Sequence, residues 1–295
     1  MEEVPLPRNE SWIRRLQPVA FAIVTLMLVF ILYQFVAGGV TLFLSKGKVT
    51  EDNVSLIRWS TVIGQLLCIL VPTLVLAKLR HGKLSEFFRF NFPAPQETLV
   101  TIVAVFALQQ MAQGYMAMQD AIPLPGPLKT YVDIFKKLFE ETYRVLVQAH
   151  SPWEFVFVVF TVALVPALSE EILFRGLVQR SLEETTGGLR AAIIAGVIFA
   201  AYHLNPFSIV PLAALGIYFG FIVYRSGSIV VAIAAHFFNN FIACVAIYLQ
   251  LDDDFVAIAP GGGATGQTMV ANFVLFSLVF VGATYYFIHL TSKEE

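Results

Sequence analysis

Three short motifs place ionisable and amide side chains in otherwise apolar parts of the sequence. In chain order, the motif residues are Glu170, Glu171, Arg175, Phe199, His203, His236 and Asn240. A carboxylate can activate water as a general base, and imidazole and amide groups can assist that base or donate hydrogen bonds to an oxyanion. The residue types therefore indicate a hydrolytic site, provided that the fold brings the motifs together.

The first motif contains two adjacent carboxylates with different expected partners. Neighbouring side chains on a helix point about 100° apart, so Glu170 and Glu171 cannot both face one group. Glu171 and Arg175 are separated by four residues with the acid first, which is the favourable order for an ion pair on one helix face. We predict that pair, which by itself is also typical of a purely structural lock, and we expect Glu170 to point elsewhere.

Each histidine motif has a structural alternative that the sequence leaves open. His203 stands just before Asn205 and Pro206, where a side chain at a helix end can simply be interfacial. His236 and Asn240 share one helix face and could form a hydrogen-bonded contact between membrane helices. Only a common location of the three motifs favours function over these alternatives.

Composition indicates the medium in which these motifs lie. Of 295 residues, 57% are hydrophobic and 14% are charged, whereas soluble domains contain about a quarter charged residues. The 19 Lys and Arg residues are balanced by 21 Asp and Glu residues, for a net charge of -2. The chain therefore has no basic excess to bind nucleic acid, and we expect the lipid bilayer to be its main solvent.

The apolar runs predict an all-α, polytopic membrane helix bundle of about eight transmembrane helices. Crossing about 30 Å of hydrocarbon takes about 20 apolar helical residues, and lipid offers backbone groups no partners outside a helix. The eight candidate runs are Pro18 to Leu44, Arg58 to Leu79, Leu99 to Met118, Phe155 to Leu182, Ala191 to Leu204, Phe207 to Tyr224, Ile229 to Leu251 and Met269 to Leu290. We see no internal repeat, and residues 1–295 are predicted to form a single membrane domain.

One further segment has a different pattern. Between Leu128 and Leu146, apolar residues recur at helical spacing with charged residues between them. This pattern predicts an amphipathic helix in the membrane interface, although a solvated helix over a small cap would have the same pattern.

Charge placement and helix length give the orientation and depth of the motifs. Lys and Arg are more frequent in the segments that lie inside if the N-terminus is cytoplasmic, so both termini are predicted to be cytoplasmic. At 1.5 Å per residue, Glu170, His203 and His236 then lie roughly 15, 20 and 16 Å from the inner boundary. Ionisable groups are costly at that depth, so the similar depth of the three residues favours a functional site.

Other intramembrane hydrolase signatures do not occur in the sequence. There is no His-Glu-x-x-His zinc motif and no Gly-x-Ser-x-Gly nucleophile motif. The aspartates fall outside the apolar runs, so a paired aspartyl mechanism has no candidates. The three motifs are thus the remaining source of chemistry.

In order and spacing, the motifs Glu170-Glu171-x-x-x-Arg175, Phe199-x-x-x-His203 and His236-x-x-x-Asn240 resemble those of the CPBP family of intramembrane proteases. This family includes type II CAAX prenyl endopeptidases and Abi-like bacteriocin-processing or immunity proteins. The resemblance implies a catalytic core over residues 152–251 of a CAAX prenyl protease 2-like endopeptidase. It further implies that Glu170, assisted by His203, activates water while His236 and Asn240 stabilise the oxyanion. Glu171, Arg175 and Phe199 would support the site.

The cofactor and the substrate stay open at this stage. Glu170, His203 and His236 could bind Zn²⁺ with an open fourth position, and a metal-free glutamate mechanism would use the same residues. The expected partner is a membrane-associated protein or peptide, and the resemblance allows it to be prenylated or otherwise lipidated. One alternative is a non-proteolytic immunity or interaction protein of the same family. A second is a proton-coupled transporter, which is less favoured because such transporters are usually built from repeated halves and this sequence has no internal repeat.

Overall fold

The structure, a computed structural model, describes residues 12–251 and 266–292. Throughout these residues the regular elements are helices, and no strand is formed. The longer helices are α1 (Pro18–Ser45), α2 (Val54–His81), α3 (Pro95–Asp120), α4 (Gly126–Val147), α5 (Pro152–Thr186), α6 (Gly188–Tyr202), α7 (Ile209–Ser226), α8 (Ile229–Tyr248) and α9 (Gly266–Leu290). The predicted all-α membrane bundle is confirmed.

Seven of the described helices are long and apolar enough to cross a membrane. The eighth candidate run corresponds to α6, which has 15 residues and is therefore about 22 Å long. That length falls short of the hydrocarbon thickness of about 30 Å. Because α6 stops at Tyr202, His203 lies at the end of an apolar helix rather than in a long loop.

Helix α5 carries the first motif and is the most buried of the candidate spans. Its second half packs Leu173, Phe174 and Leu177, all fully buried, into a core shared with α1, α2, α6 and the start of α8. A second core joins α3, α7, α8 and α9. Glu170 therefore lies on a helix that is surrounded by other helices.

Helices α6 and α7 approach each other closely at Gly196 and Gly216. A Cβ atom on Gly196 would lie 2.3 Å from the Ile217 backbone nitrogen, and one on Gly216 would lie 2.7 Å from the Gly196 carbonyl oxygen. Only glycine permits this backbone contact, which is the close packing that small residues give to membrane helices. The contact fixes the helix that ends at His203.

Two π-helical stretches contribute residues at or beside the first motif. One runs over Gln65–Leu70 within α2, and another runs over Ile172–Gln179, directly after Glu171 in α5. Such stretches are frequent at functional sites because they reorient the side chains around them.

The amphipathic segment forms helix α4, as predicted. Its apolar side chains Leu128, Ile134 and Leu138 are between 50% and 58% exposed, which fits a helix that packs little of its surface against protein. Lys136 pairs with Asp120 at the end of α3.

The C-terminal end of α4 is held by Arg58, the first residue of the second candidate run. Arg58 is 1% exposed and lies within α2, which begins four residues earlier than that run. Its guanidinium donates to the carbonyl oxygens of Leu146 at 3.0 Å and Gln148 at 2.5 Å and pairs with Glu154 at 2.6 Å. The charge can be buried because it has backbone and carboxylate partners.

Candidate functional site

The three motifs meet at one cavity of about 300 Å³. It is lined by Tyr143, Val162, Pro166, Glu170, Phe199, His203, Leu212, Leu215, Phe219, His236, Asn239 and Asn240. The polar lining residues come from α4, α5, α8 and the end of α6, so helices distant in sequence assemble the cavity. The predicted common location of Glu170, His203, His236 and Asn240 is thus found in the structure.

The Glu170 carboxylate has one oxygen held by protein and one that is not. The Gln65 side-chain amide donates to Oε1 at 3.1 Å. Oε2 is buried without a hydrogen-bond partner among the described residues and lies 3.8 Å from His203 Nε2. That separation is too long for a direct hydrogen bond and too short for a group on the line between the two atoms, so a water molecule would contact both of them from one side.

His203 is oriented by its own helix. Its Nδ1 lies 2.8 Å from the Phe199 carbonyl oxygen, and because a carbonyl only accepts, Nδ1 carries the proton. In the neutral ring, Nε2 is then a free acceptor that faces Glu170. Half-exposed at the end of α6, His203 can meet a reactant that enters the cavity.

Glu171 forms the predicted ion pair with Arg175, at 2.8 Å between Oε1 and Nη1 with both side chains fully buried. The same oxygen lies 2.8 Å from His236 Nδ1. Since the carboxylate accepts, Nδ1 of His236 donates and Nε2 is left for the cavity. The two carboxylates do face different partners, as predicted, and the support from Glu171 reaches His236 rather than Glu170.

Aromatic rings enclose this buried pair. The Arg175 guanidinium lies 4.7 Å from the ring centre of Phe199 and 5.3 Å from that of Phe219, and Phe219 also stacks on His236 at 5.4 Å. Arg175 donates further to the Gly216 carbonyl oxygen at 2.8 Å. The rings limit the motion of the Arg175 guanidinium and of the His236 ring.

Asn240 presents its amide from α8. Its Nδ2 donates to the Val162 carbonyl oxygen at 3.0 Å, and its Oδ1 accepts from Asn239 at 3.1 Å. An amide nitrogen has two hydrogens, so one remains for a group in the cavity.

Three residues of the site were not singled out by the sequence. Tyr143 and Asn239 line the cavity, and Gln65 contacts Glu170 from α2. Gln65 carried a usable signal, because an isolated amide inside an apolar run is costly unless it has a partner. Nothing in the pattern of α4 indicated that Tyr143 reaches the cavity.

The described residues do not assemble a metal-ligand group. Over 12–251 and 266–292, no set of three or more His, Cys, Asp or Glu residues is arranged to hold a metal ion. His236 directs Nδ1 to Glu171, and Glu170 directs Oε1 to Gln65. Glu170 Oε2 and His236 Nε2 are left for the cavity, so metal binding by Glu170, His203 and His236 stays a prediction.

The fold and the cavity together define the class of this protein. It is an integral, multi-pass helical membrane protein with a buried ionisable site between its membrane-spanning helices. Residues 152–242 match the family model described as "Type II CAAX prenyl endopeptidase Rce1-like". Over 265 residues, the chain is 23% identical to "Putative membrane peptidase YdiL" of Bacillus subtilis (strain 168), a match that covers 86% of this chain and 98% of that protein. No solved structure gives a significant match. These two matches confirm the resemblance to the CPBP family as a similarity: the chain is similar to a type II CAAX prenyl endopeptidase family over residues 152–242 and to a putative membrane peptidase over most of its length.

Proposed function

We propose that this protein is an intramembrane endopeptidase in which Glu170 is the general base. The convergence of Glu170, His203, His236 and Asn240 on one cavity carries the proposal. Each helix supplies what the others lack, namely a base, an acceptor that orients water, and donors for an oxyanion.

Water activation would take place between Glu170 Oε2 and His203 Nε2. A water molecule between these acceptors donates one hydrogen to each, which turns its oxygen lone pair toward the substrate carbonyl carbon. As the C–O bond forms, Glu170 takes the proton, and it returns that proton to the amine nitrogen when the C–N bond breaks. Oε1 stays on the Gln65 amide, so the carboxylate keeps its orientation throughout.

The negative charge on the carbonyl oxygen would be stabilised from α8. The free Asn240 amide hydrogen is one donor, and His236 Nε2 is the second when its imidazole is protonated. Because His236 Nδ1 already donates to Glu171, the carboxylate holds the ring with Nε2 toward the cavity, as the aspartate orients the histidine in a Ser-His-Asp triad. Glu171 and Arg175 are then supporting residues for the oxyanion donor.

The substrate we propose is a membrane-associated protein or peptide. Exposed apolar side chains cover most of the helices, so a substrate anchored in the bilayer, including one with a prenyl or other lipid group, would reach the site from the membrane. We propose the orientation that the charge distribution predicts for eight spans, with both termini cytoplasmic, which requires α6 to cross the bilayer together with the seven longer helices.

A membrane-associated substrate is first identified by comparing the membrane proteomes of cells with and without the active protein. The decisive experiment then measures cleavage of that substrate by purified, lipid-reconstituted wild type and by the variants Glu170→Gln, His203→Ala and Glu140→Gln. Glu140 is an exposed carboxylate on α4 and serves as the matched control. We expect Glu170→Gln to lower kcat by about 10²- to 10⁴-fold and Glu140→Gln to leave it unchanged. Full activity of Glu170→Gln would refute the proposal.

Chelation separates the two cofactor hypotheses. We propose the metal-free glutamate mechanism, which the grouping of the described residues supports, and expect activity to survive dialysis against a strong zinc chelator. Loss of activity that only Zn²⁺ restores would instead favour Glu170, His203 and His236 as ligands.

A further inference from the structure

We propose that Gln65 is a positioning residue for Glu170 that aims the carboxylate at the cavity. The kinetic part of this inference rests on the proposed peptidase function. The hydrogen bond itself does not, so it can be tested separately.

Gln65 reaches the site from a part of the chain outside the family match. It lies on α2, whereas the matched segment begins at residue 152. Its side chain is 3% exposed, and its Nε2 donates to Glu170 Oε1 at 3.1 Å. A lone amide within an apolar membrane helix is costly, and contact with a buried carboxylate offsets that cost.

The amide of Gln65 is itself fixed on both sides. The Ser169 hydroxyl, next to Glu170 in sequence, donates to Gln65 Oε1. Gln65 Nε2 also contacts the Tyr33 hydroxyl oxygen on α1 at 3.3 Å. With its oxygen occupied by a donor, the amide can present only its nitrogen to Glu170.

This arrangement determines which carboxylate oxygen reacts. Because Oε1 accepts from Gln65, the remaining oxygen Oε2 faces His203. Gln65 does not line the cavity, so it acts through Glu170 and not by touching the substrate. A neutral donor to the ionised carboxylate makes a charge-assisted hydrogen bond, which is stronger than one between neutral groups.

The ionisable groups around this carboxylate come from several helices. They are Tyr33 on α1, Glu171 and Arg175 on α5, Tyr202 and His203 at the end of α6, and His236 on α8. Of these groups only Tyr33 also contacts Gln65, and a tyrosine ordinarily titrates near pH 10, so a change in the acidic limb of the pH–rate profile reports the lost amide donor to Glu170.

The test replaces Gln65 with methionine, which has nearly the same volume and no donor. Gln110→Met is the matched control, because Gln110 is 5% exposed within α3 and lies outside the cavity. For Gln65→Met we expect kcat to fall about ten- to a hundredfold with KM unchanged, as follows from one hydrogen bond to a charged group. The acidic limb of the pH–rate profile should move up by about one unit, and Gln110→Met should match wild type in both readouts.

An infrared titration in lipid provides a readout that needs no substrate. The carboxyl signal of Glu170, assigned as the band lost in Glu170→Gln, should titrate at higher pH in Gln65→Met than in wild type. An unchanged titration together with wild-type kcat would overturn the role of Gln65. If Glu170→Gln kept its activity, the peptidase proposal would fail, and the infrared shift would still decide whether Gln65 positions the carboxylate.

Discussion

Replacing Arg175 with methionine tests whether the buried Glu171–Arg175 pair is needed for stability, for His236, or for both. Methionine keeps the aliphatic volume between Phe199 and Phe219 but removes the charge. Glu171 is then left fully buried with His236 as its remaining partner among the described side chains.

The size of the effect follows from the contacts that are lost. Arg175 donates two hydrogen bonds of 2.8 Å, to Glu171 and to Gly216. Breaking a buried pair by removing one partner costs about 3–5 kcal/mol, because the other charge remains uncompensated. We therefore expect Arg175→Met to lower the free energy of unfolding by about 3–5 kcal/mol.

The double variant Arg175→Met/Glu171→Gln separates the two roles. Removing both charges relieves the uncompensated carboxylate, so the double variant should be more stable than Arg175→Met alone. It should nevertheless be inactive, because a glutamine amide can turn its NH₂ group toward His236 Nδ1 and no longer holds the ring as the Glu171 carboxylate does.

Equilibrium unfolding in mixed detergent micelles measures the stability, and peptidase assays in liposomes measure the activity. If the losses in free energy of unfolding caused by Arg175→Met and by Glu171→Gln simply add in the double variant, the two side chains do not stabilise each other as a pair. Recovery of activity together with stability would show that the pair is structural only and that Glu171 does not serve His236.

Two further predictions concern the packing that positions the site. Gly196→Val should destabilise the protein and abolish activity, since its Cβ would lie 2.3 Å from the Ile217 backbone nitrogen. The control Gly39→Ala, whose Cβ would meet nothing within 4 Å, should change the free energy of unfolding by less than about 1 kcal/mol. Thermal unfolding in detergent checks both variants, and a stable, active Gly196→Val would contradict the close contact. Arg58→Met should release the end of α4 and speed amide hydrogen exchange over its last two turns while leaving α9 unchanged. Equal exchange in the variant and wild type would show that Arg58 does not hold this helix.

The helical membrane fold followed from the sequence with few errors. Apolar runs in a chain with little charge have no stable alternative to helices in lipid, so seven described helices match the predicted spans. The fifth run also forms an apolar helix, α6, which at 15 residues is shorter than the other seven.

The sequence did not indicate the burial of Arg58. A basic residue at the start of an apolar run is usually a boundary residue. In the fold, carbonyl groups at the end of α4 and the Glu154 carboxylate surround it. Those partners lie about 90 residues away in sequence, so no local pattern could indicate them.

Within the site, local spacing determined which residues pair on one helix. The separation of four residues fixed the Glu171–Arg175 ion pair, and the angle between adjacent side chains directed Glu170 away from it. The amino-acid sequence by itself therefore determined the medium, the helices and the candidate chemistry. All three depend on local composition and helical geometry.

Only the tertiary structure decided which helices supply the partners. Gln65 reaches Glu170 from α2, His236 reaches Glu171 from α8, and Tyr143 reaches the cavity from α4. These contacts arise from how the helices pack, including the glycine contact that holds α6 against α7. Side chains far apart in sequence meet only when that packing is complete, since each buried polar group is stable only beside its partner.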